Sequence, residues 1–171
     1  MFFKKIKFDF HINNYQIQKY VSSYRLNSDS EVFKGIIYHT LNNNDHLFDI
    51  LPKWITKFFQ LNHLKINCKV RPHIDHGINT SINFYIKTSN CKTTFYSFID
   101  QTIPRTIPLD ANNLKEEDSF VAKNREVFIL DVSCPHSVEP LDNNFSERTV
   151  FCLQTHLNYK TVLNFLNLQK N

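Results

Sequence analysis

Glycine is scarce in this chain: 171 residues carry two, Gly35 and Gly77. These positions build no G-x-G-x-x-G turn, no Walker-type phosphate loop and no G-x-S-x-G elbow, which excludes the dinucleotide, P-loop and α/β-hydrolase signatures. Turns that need positive φ must use another residue. Asn is the next most tolerant, and it is abundant in Asn42-Asn43-Asn44, Asn112-Asn113 and Asn143-Asn144. The four cysteines, Cys68, Cys91, Cys134 and Cys152, form no C-x-x-C, which argues against a zinc knuckle or a dithiol redox motif. No apolar run reaches the roughly 18 residues of a membrane span. Lys4, Lys5, Lys7 and Asp9 interrupt the apolar N-terminus, so no signal peptide is predicted. A cytoplasmic protein with no membrane contact and no disulfide framework is the expectation. The net charge is +4 with Lys and Arg dispersed, which gives nucleic acid only slight support as a partner.

What is present is apolar and aromatic material. The chain is 42% hydrophobic and 14% aromatic with sixteen Phe, enough for a core and favourable for strands. Helical spacing is seen from Tyr15 to Tyr24, through Ile17, Tyr20 and Val21. It returns in Leu47, Ile50, Leu51, Trp54, Ile55, Phe58 and Phe59, where Asp45 is a cap and Pro52 kinks the segment or starts its second part. From Leu64 the period becomes two: Leu64, Ile66, Cys68 and Val70 share one face of an extended segment. Further strands are predicted over Ser81–Lys87, Thr93–Ile99, Glu126–Val132 and Arg148–Thr155, and a closing helix over Asn158–Leu168. Gln101–Ser119 is predicted to be a long connection, of the kind that often forms a lid. Helices followed by a run of strands indicate a mainly β (α+β) domain with a jelly-roll or small-barrel core. The expected organisation is one domain over 1–171: N-terminal helical support in 1–62, the β core in 63–157 and a helix or tail in 158–171.

The chemistry concentrates in a few side chains. His73-Ile74-Asp75 follows Val70-Arg71-Pro72 at a predicted strand end, and alternation on an extended chain puts the imidazole and the carboxylate on one face. His136, in Cys134-Pro135-His136-Ser137-Val138, follows another apolar strand. Two His and one carboxylate make the facial triad of non-haem Fe(II) oxygenases. Arg148 opens a strand twelve residues after His136. A guanidinium in a barrel mouth is costly unless it meets an anion, and its fork matches a carboxylate bidentately.

Together, H-x-D, a distant His and an Arg on the following strand resemble the Fe(II)/2-oxoglutarate-dependent oxygenases over roughly His63 to Thr155. Pro72-His73-Ile74-Asp75, Ser81-Ile82-Asn83-Phe84-Tyr85, Thr93-Thr94-Phe95-Tyr96 and Pro135-His136-Ser137-Val138 resemble segments of small phage and bacterial members. The resemblance implies a double-stranded β-helix, the jelly-roll of cupin-like proteins, with N-terminal supporting helices. It implies Fe(II), 2-oxoglutarate and O2, with release of succinate and CO2 and usually hydroxylation of a second substrate, a small molecule or a protein. The setting it implies is the cytoplasm of a bacterium or of a virus-infected host cell. His73, Asp75 and His136 become the iron ligands, and Arg148 the partner of the distal carboxylate of 2-oxoglutarate. Some relatives use a Lys on a middle strand for that carboxylate, and Lys87 is the alternative. The interval from His136 to Arg148 is slightly longer than the family's commonest spacing, with Asp142-Asn143-Asn144 as the extra turn. Further co-substrate contacts are assigned to Asn83, Tyr85 and Tyr96, and substrate contacts to His76, Arg71 and Arg105. Two rivals stand beside this reading. One is a cupin-like metal enzyme that does not use 2-oxoglutarate, against which Arg148 argues. The other is a non-enzymatic β-sandwich binding module, in which His73 and His136 would lie apart. Gly77, two residues after Asp75, is where the chain must turn away from the proposed iron site.

Overall fold

The computed structural model describes residues 1–7, 35–40, 53–100, 109–142 and 147–168. Strands β1 (Phe3–Ile6), β2 (Ile36–Thr40), β3 (Gln60–Ile66), β5 (Thr80–Lys87), β8 (Val127–Asp131) and β10 (Arg148–Thr155) form a six-stranded sheet in the order β1-β8-β5-β10-β3-β2. Strands β4 (Val70–His73), β6 (Cys91–Phe98), β7 (Leu114–Val121) and β9 (His136–Pro140) form a four-stranded sheet in the order β4-β9-β6-β7. All pairings are antiparallel. The chain crosses repeatedly between the two sheets, which is the double-stranded β-helix. Two short helices complete the described structure, α1 (Lys53–Phe58) and α2 (Tyr159–Leu168). Neither is long and apolar enough to cross a membrane.

Strand β10 organises the molecule. It lies between β3 and β5 and every residue of it is buried. Alternation sends Phe151 and Leu153 to the outer face, into a core with Ile55, Ile82, Ile129 and Val162. Each such large apolar side chain contributes about 1.5–3 kcal/mol on burial. The inner face carries Arg148, Val150, Cys152 and Gln154, all lining the space between the sheets. The outer core is closed by α2, whose buried Tyr159, Val162 and Leu166 recur at helical spacing. Asn158 caps it, its Oδ1 accepting from the Thr161 backbone N–H at 2.9 Å. A second cluster of Tyr85, Phe95, Phe128, Leu130 and Val150 fills one end of the intersheet space. It is extended by Phe3 and Phe120, whose ring centroids are 4.5 Å apart.

Several elements differ from the sequence expectations. The extended segment predicted from Leu64 through Arg71 is two strands in different sheets, β3 and β4. The alternation survives the corner because Ile66 and Val70 face one core cluster from opposite sheets. The N-terminal region expected as helical support contributes β1 and β2 to the large sheet, and α1 is the described part of the second helical segment. The helix expected over 15–24 and the start of the second one lie outside the described residues, as does 101–108. The rest of the expected connection is a 3-10 turn at Ala111–Asn113 and then strand β7. Strand β7 lies at a sheet edge, pairs with β6, and carries exposed Lys115, Glu116, Glu117 and Asp118. Such charge guards an edge and erases the period-two signal by which a strand is read. The expected use of Asn at positive φ is met at Asn90 (φ 48°), but Arg125 also adopts it (φ 70°).

Candidate metal centre and its cavity

The β4–β9 pairing places His73 opposite His136 in register. Their ring centroids are 4.3 Å apart, so the spatial separation required by a non-enzymatic sandwich is not found. Asp75 lies just beyond β4, where its backbone N–H donates to Val132 O at 3.3 Å and ties it to the end of β8. Asp75 Oδ1 is 3.4 Å from His73 Nε2 and 3.8 Å from His136 Nε2. One ligand atom from each of the three residues falls within 4.8 Å of the others, a spacing that fits one metal ion. No other metal-suited group of three occurs among the described residues.

The imidazoles are oriented for ligation. His73 Nδ1 lies 2.9 Å from Arg71 O and His136 Nδ1 lies 3.0 Å from Cys134 O. A carbonyl only accepts, so both Nδ1 atoms carry a proton and both Nε2 atoms face Asp75, where a metal ion would take the place of the proton that His73 Nε2 shares with the carboxylate. The three groups titrate as a unit. Burial alone would push Asp75 up, but the bond to His73 and the charges of both imidazoles hold it below the ordinary carboxylate range. Burial opposes charge on His73, yet the bond to Asp75, its charge and the Arg71 carbonyl raise it overall. His136 is pulled down to about 4 by burial and by the neighbouring His73, with Asp75 opposing. Cys152 shares the cavity, but burial pushes its thiol up to about 12, so it stays protonated and is a poor ligand beside this triad.

The triad opens on a cavity of about 430 Å³ between the sheets. Arg148 enters it from β10 and is 3% exposed. Its Nη2 donates to Thr93 Oγ1 on the opposite sheet at 3.1 Å, and its guanidinium lies 4.7 Å from the Tyr85 ring centroid. Its Nε and Nη1 are buried with no hydrogen-bond partner among the described residues. Tyr85, 1% exposed, brings a buried hydroxyl to the same place, near Asn83 and Arg148 but without a hydrogen bond of good geometry. A buried cation with idle donors carries an unmet cost, and an anion meets it.

The other sequence candidates fall in different places. Asn83 lines the cavity, its Oδ1 accepting from Ser81 Oγ at 2.6 Å. His76 lines the same cavity and is exposed. Tyr96 is not among the lining residues; its hydroxyl lies 2.9 Å from Ser137 Oγ. Arg71 is exposed and serves the site through its backbone carbonyl. Arg105 lies outside the described residues. Lys87, the alternative to Arg148, is 57% exposed and faces Glu147 rather than the cavity. Thr93, Tyr38, Asn62 and Gln154 were missed. Gln154 and Thr93 were within reach, being inner-face positions of predicted strands. Tyr38 was harder to reach, because its short segment, though rich in β-branched residues, is fixed as a strand only by its pairing with β3.

No protein-family model matches the chain. No curated protein matches it. Solved structures share its fold. An oxidoreductase of the 2OG-Fe(II) oxygenase family from Burkholderia pseudomallei aligns with a TM-score of 0.53 and 11% identity, over 91% of this chain and 85% of that one. SnoN, a non-haem α-ketoglutarate-dependent epimerase from nogalamycin biosynthesis, aligns with a TM-score of 0.53 and 10% identity, over 84% of this chain and 74% of that one. Hazelnut vicilin aligns with a TM-score of 0.45 and 14% identity over 78% of this chain, which spans 32% of the vicilin. At these identities the likeness is one of fold.

Proposed function

We propose that this protein is an Fe(II)/2-oxoglutarate-dependent oxygenase. One observation carries the reading: a buried His73–Asp75–His136 triad and a buried guanidinium with two idle donors share one cavity. The fold supports it, since SnoN, determined in a complex with Fe3+ and α-ketoglutarate, aligns with a TM-score of 0.50. The donor set suits iron, with two neutral imidazoles and one carboxylate leaving positions open for a co-substrate and oxygen. Bound iron would supply the oxidising chemistry, in which 2-oxoglutarate, O2 and a C–H bond of the substrate become succinate, CO2 and a C–OH group.

The chain's own residues do the rest. The carbonyls of Arg71 and Cys134 hold the two imidazoles in the ligating tautomer. Arg148 takes the distal carboxylate of 2-oxoglutarate with Nη1 and the second N–H of Nη2, while the first N–H of Nη2 stays on Thr93. The Tyr85 hydroxyl donates to the same carboxylate, and Asn83 borders it. Val150, Leu130 and Val138 keep water from the reacting groups. His76, which lines the cavity, stands toward the substrate, a small molecule or a protein side chain. The cupin-like alternative without 2-oxoglutarate leaves the idle donors of Arg148 unexplained.

The test is anaerobic reconstitution with Fe(II), followed by 2-oxoglutarate binding and succinate release in air. Binding of one equivalent each of iron and 2-oxoglutarate, with slow succinate release, is the expected result. Iron binding with no 2-oxoglutarate binding would move the protein to the cupin-like class.

A further inference from the structure

Beside the metal centre, three adjacent strands bring buried polar side chains together on a face otherwise built from Leu64, Ile66, Val150 and Cys152. Gln154 on β10 is 6% exposed and Asn62 on β3 is fully buried. Gln154 Oε1 accepts from Asn62 Nδ2 at 2.6 Å and from the Tyr38 hydroxyl of β2 at 2.9 Å. Gln154 Nε2 then points at Asp75 and donates to its Oδ2 at 3.5 Å. The direction of the chain is fixed at its Asp75 end. The carboxylate only accepts, so the Gln154 amide must turn its nitrogen to Asp75 and its oxygen to β2 and β3. Asn62 then has to offer its nitrogen, which leaves Asn62 Oδ1 buried without a partner among the described residues. A flipped Asn62 would satisfy that oxygen only by reversing Gln154 and setting a carbonyl against the carboxylate. The fold therefore carries an unsatisfied acceptor in Asn62 so that Asp75 receives a donor.

We infer that Gln154, locked by Tyr38 and Asn62, is a positioning residue that holds Asp75 in the orientation where Oδ1 alone faces His73 and His136. With Oδ2 engaged by the amide, the carboxylate offers one oxygen to the metal and keeps the remaining positions free for co-substrate and oxygen. This rests on the metal-centre reading above and adds a determinant that no ligand motif contains.

The experiment uses the full chain with Mn(II) and Co(II) as anaerobic probes, with Gln154→Met, which keeps the volume and removes the amide, and Tyr38→Phe, which removes one lock. Gln154→Met is expected to weaken Mn(II) binding by about 10- to 100-fold, the usual reach of a lost partner to a metal ligand. It is also expected to change the visible ligand-field spectrum of the Co(II) form, because Asp75 can now offer its second oxygen. Tyr38→Phe is expected to weaken Mn(II) binding a few-fold in the same direction, and keeps the test alive should Gln154→Met fold poorly. Mn(II) affinity within about twofold of the parent in both variants, or a Co(II) spectrum that Gln154→Met leaves unchanged, overturns the inference alone. A parent protein that binds neither ion overturns the metal-centre reading and this inference with it.

Discussion

The two ends of the cavity are built on one strand and in opposite ways. At the Gln154 end of β10, each group about the triad has a partner: both imidazole Nδ1–H groups meet carbonyls, and Asp75 meets an amide. At the Arg148 end, two guanidinium donors and the Tyr85 hydroxyl are buried without one among the described residues. The first end is assembled in advance and needs only an ion whose charge suits it. The second is incomplete among the described residues and carries a cost that an anion would relieve. On the proposed function, such a site would gain 2-oxoglutarate affinity through relief of burial at one end and metal affinity through preorganised ligands at the other. The two should therefore separate under mutation.

The largest separation is expected from the triad. His136→Ala or Asp75→Ala should lower Mn(II) or Fe(II) affinity by more than about 1,000-fold, since two remaining ligands hold a divalent ion weakly. Anaerobic titration calorimetry would read this directly. Retention of parent-like affinity would mean that the metal sits elsewhere. The next effect comes from the other end. Arg148→Met should weaken 2-oxoglutarate binding to the metal-loaded protein about 100-fold, equivalent to about 3 kcal/mol, while metal affinity stays within about twofold. The ligand-free variant should melt no lower than the parent, because a buried charge with idle donors has been replaced by an apolar chain of similar size. A marked loss of thermal stability without ligand would show that Arg148 is already satisfied, and the contrast between the two ends would fail.

How much of this was legible in the sequence follows from how local each feature is. The triad was legible because H-x-D and a single distant His need only residue type and the ends of predicted strands. Arg148 was legible because it opens a strong apolar strand. The N-terminal strands were not. Phe3–Ile6 is four residues long and finds its partner at Val127–Leu130, and nothing local announces a pairing over that distance. Ile36–Thr40 is likewise defined by its pairing with β3. Strand β7 was hidden by its exposed charges. Gln154 stood at a legible inner position, but its purpose depends on Tyr38 and Asn62, 116 and 92 residues away. Gly77 lies, as expected, at a turn beside the candidate metal centre. A Cβ there meets nothing within 4 Å, and its φ of +74° is what asks for glycine. Gly35, at φ +86°, is the crowded one, since a Cβ there would lie 2.8 Å from Cys68 Sγ.

Two smaller substitutions sharpen the Arg148 end. Tyr85→Phe removes the idle hydroxyl and keeps the ring under the guanidinium. A hydrogen bond to a charged group contributes about 1.5–3 kcal/mol, and the low end of that range, for one donor beside a guanidinium that keeps its own contacts, lowers 2-oxoglutarate affinity about 10-fold. The ligand-free protein should be no less stable, because a buried unsatisfied group has been deleted. Affinity equal to the parent's would leave the carboxylate to Arg148 alone.

The smallest effect is expected at Thr93, which touches the anion site only through Arg148. Its Oγ1 holds Nη2 at 3.1 Å, so Thr93→Val frees the guanidinium to turn about its own axis without removing any contact to the anion. The cost has two parts of opposite sign for the comparison. Without ligand, a third buried donor loses its partner, which should lower stability by about 1–3 kcal/mol. With 2-oxoglutarate bound, the carboxylate restrains the guanidinium again, so affinity should fall only about threefold. The melting-temperature gain on adding 2-oxoglutarate and Mn(II) should then nearly equal the parent's, although both curves begin lower. If 2-oxoglutarate affinity instead collapses as far as in Arg148→Met, the threonine is itself a contact to the anion. The Arg148 end would then be preassembled to the same degree as the metal end.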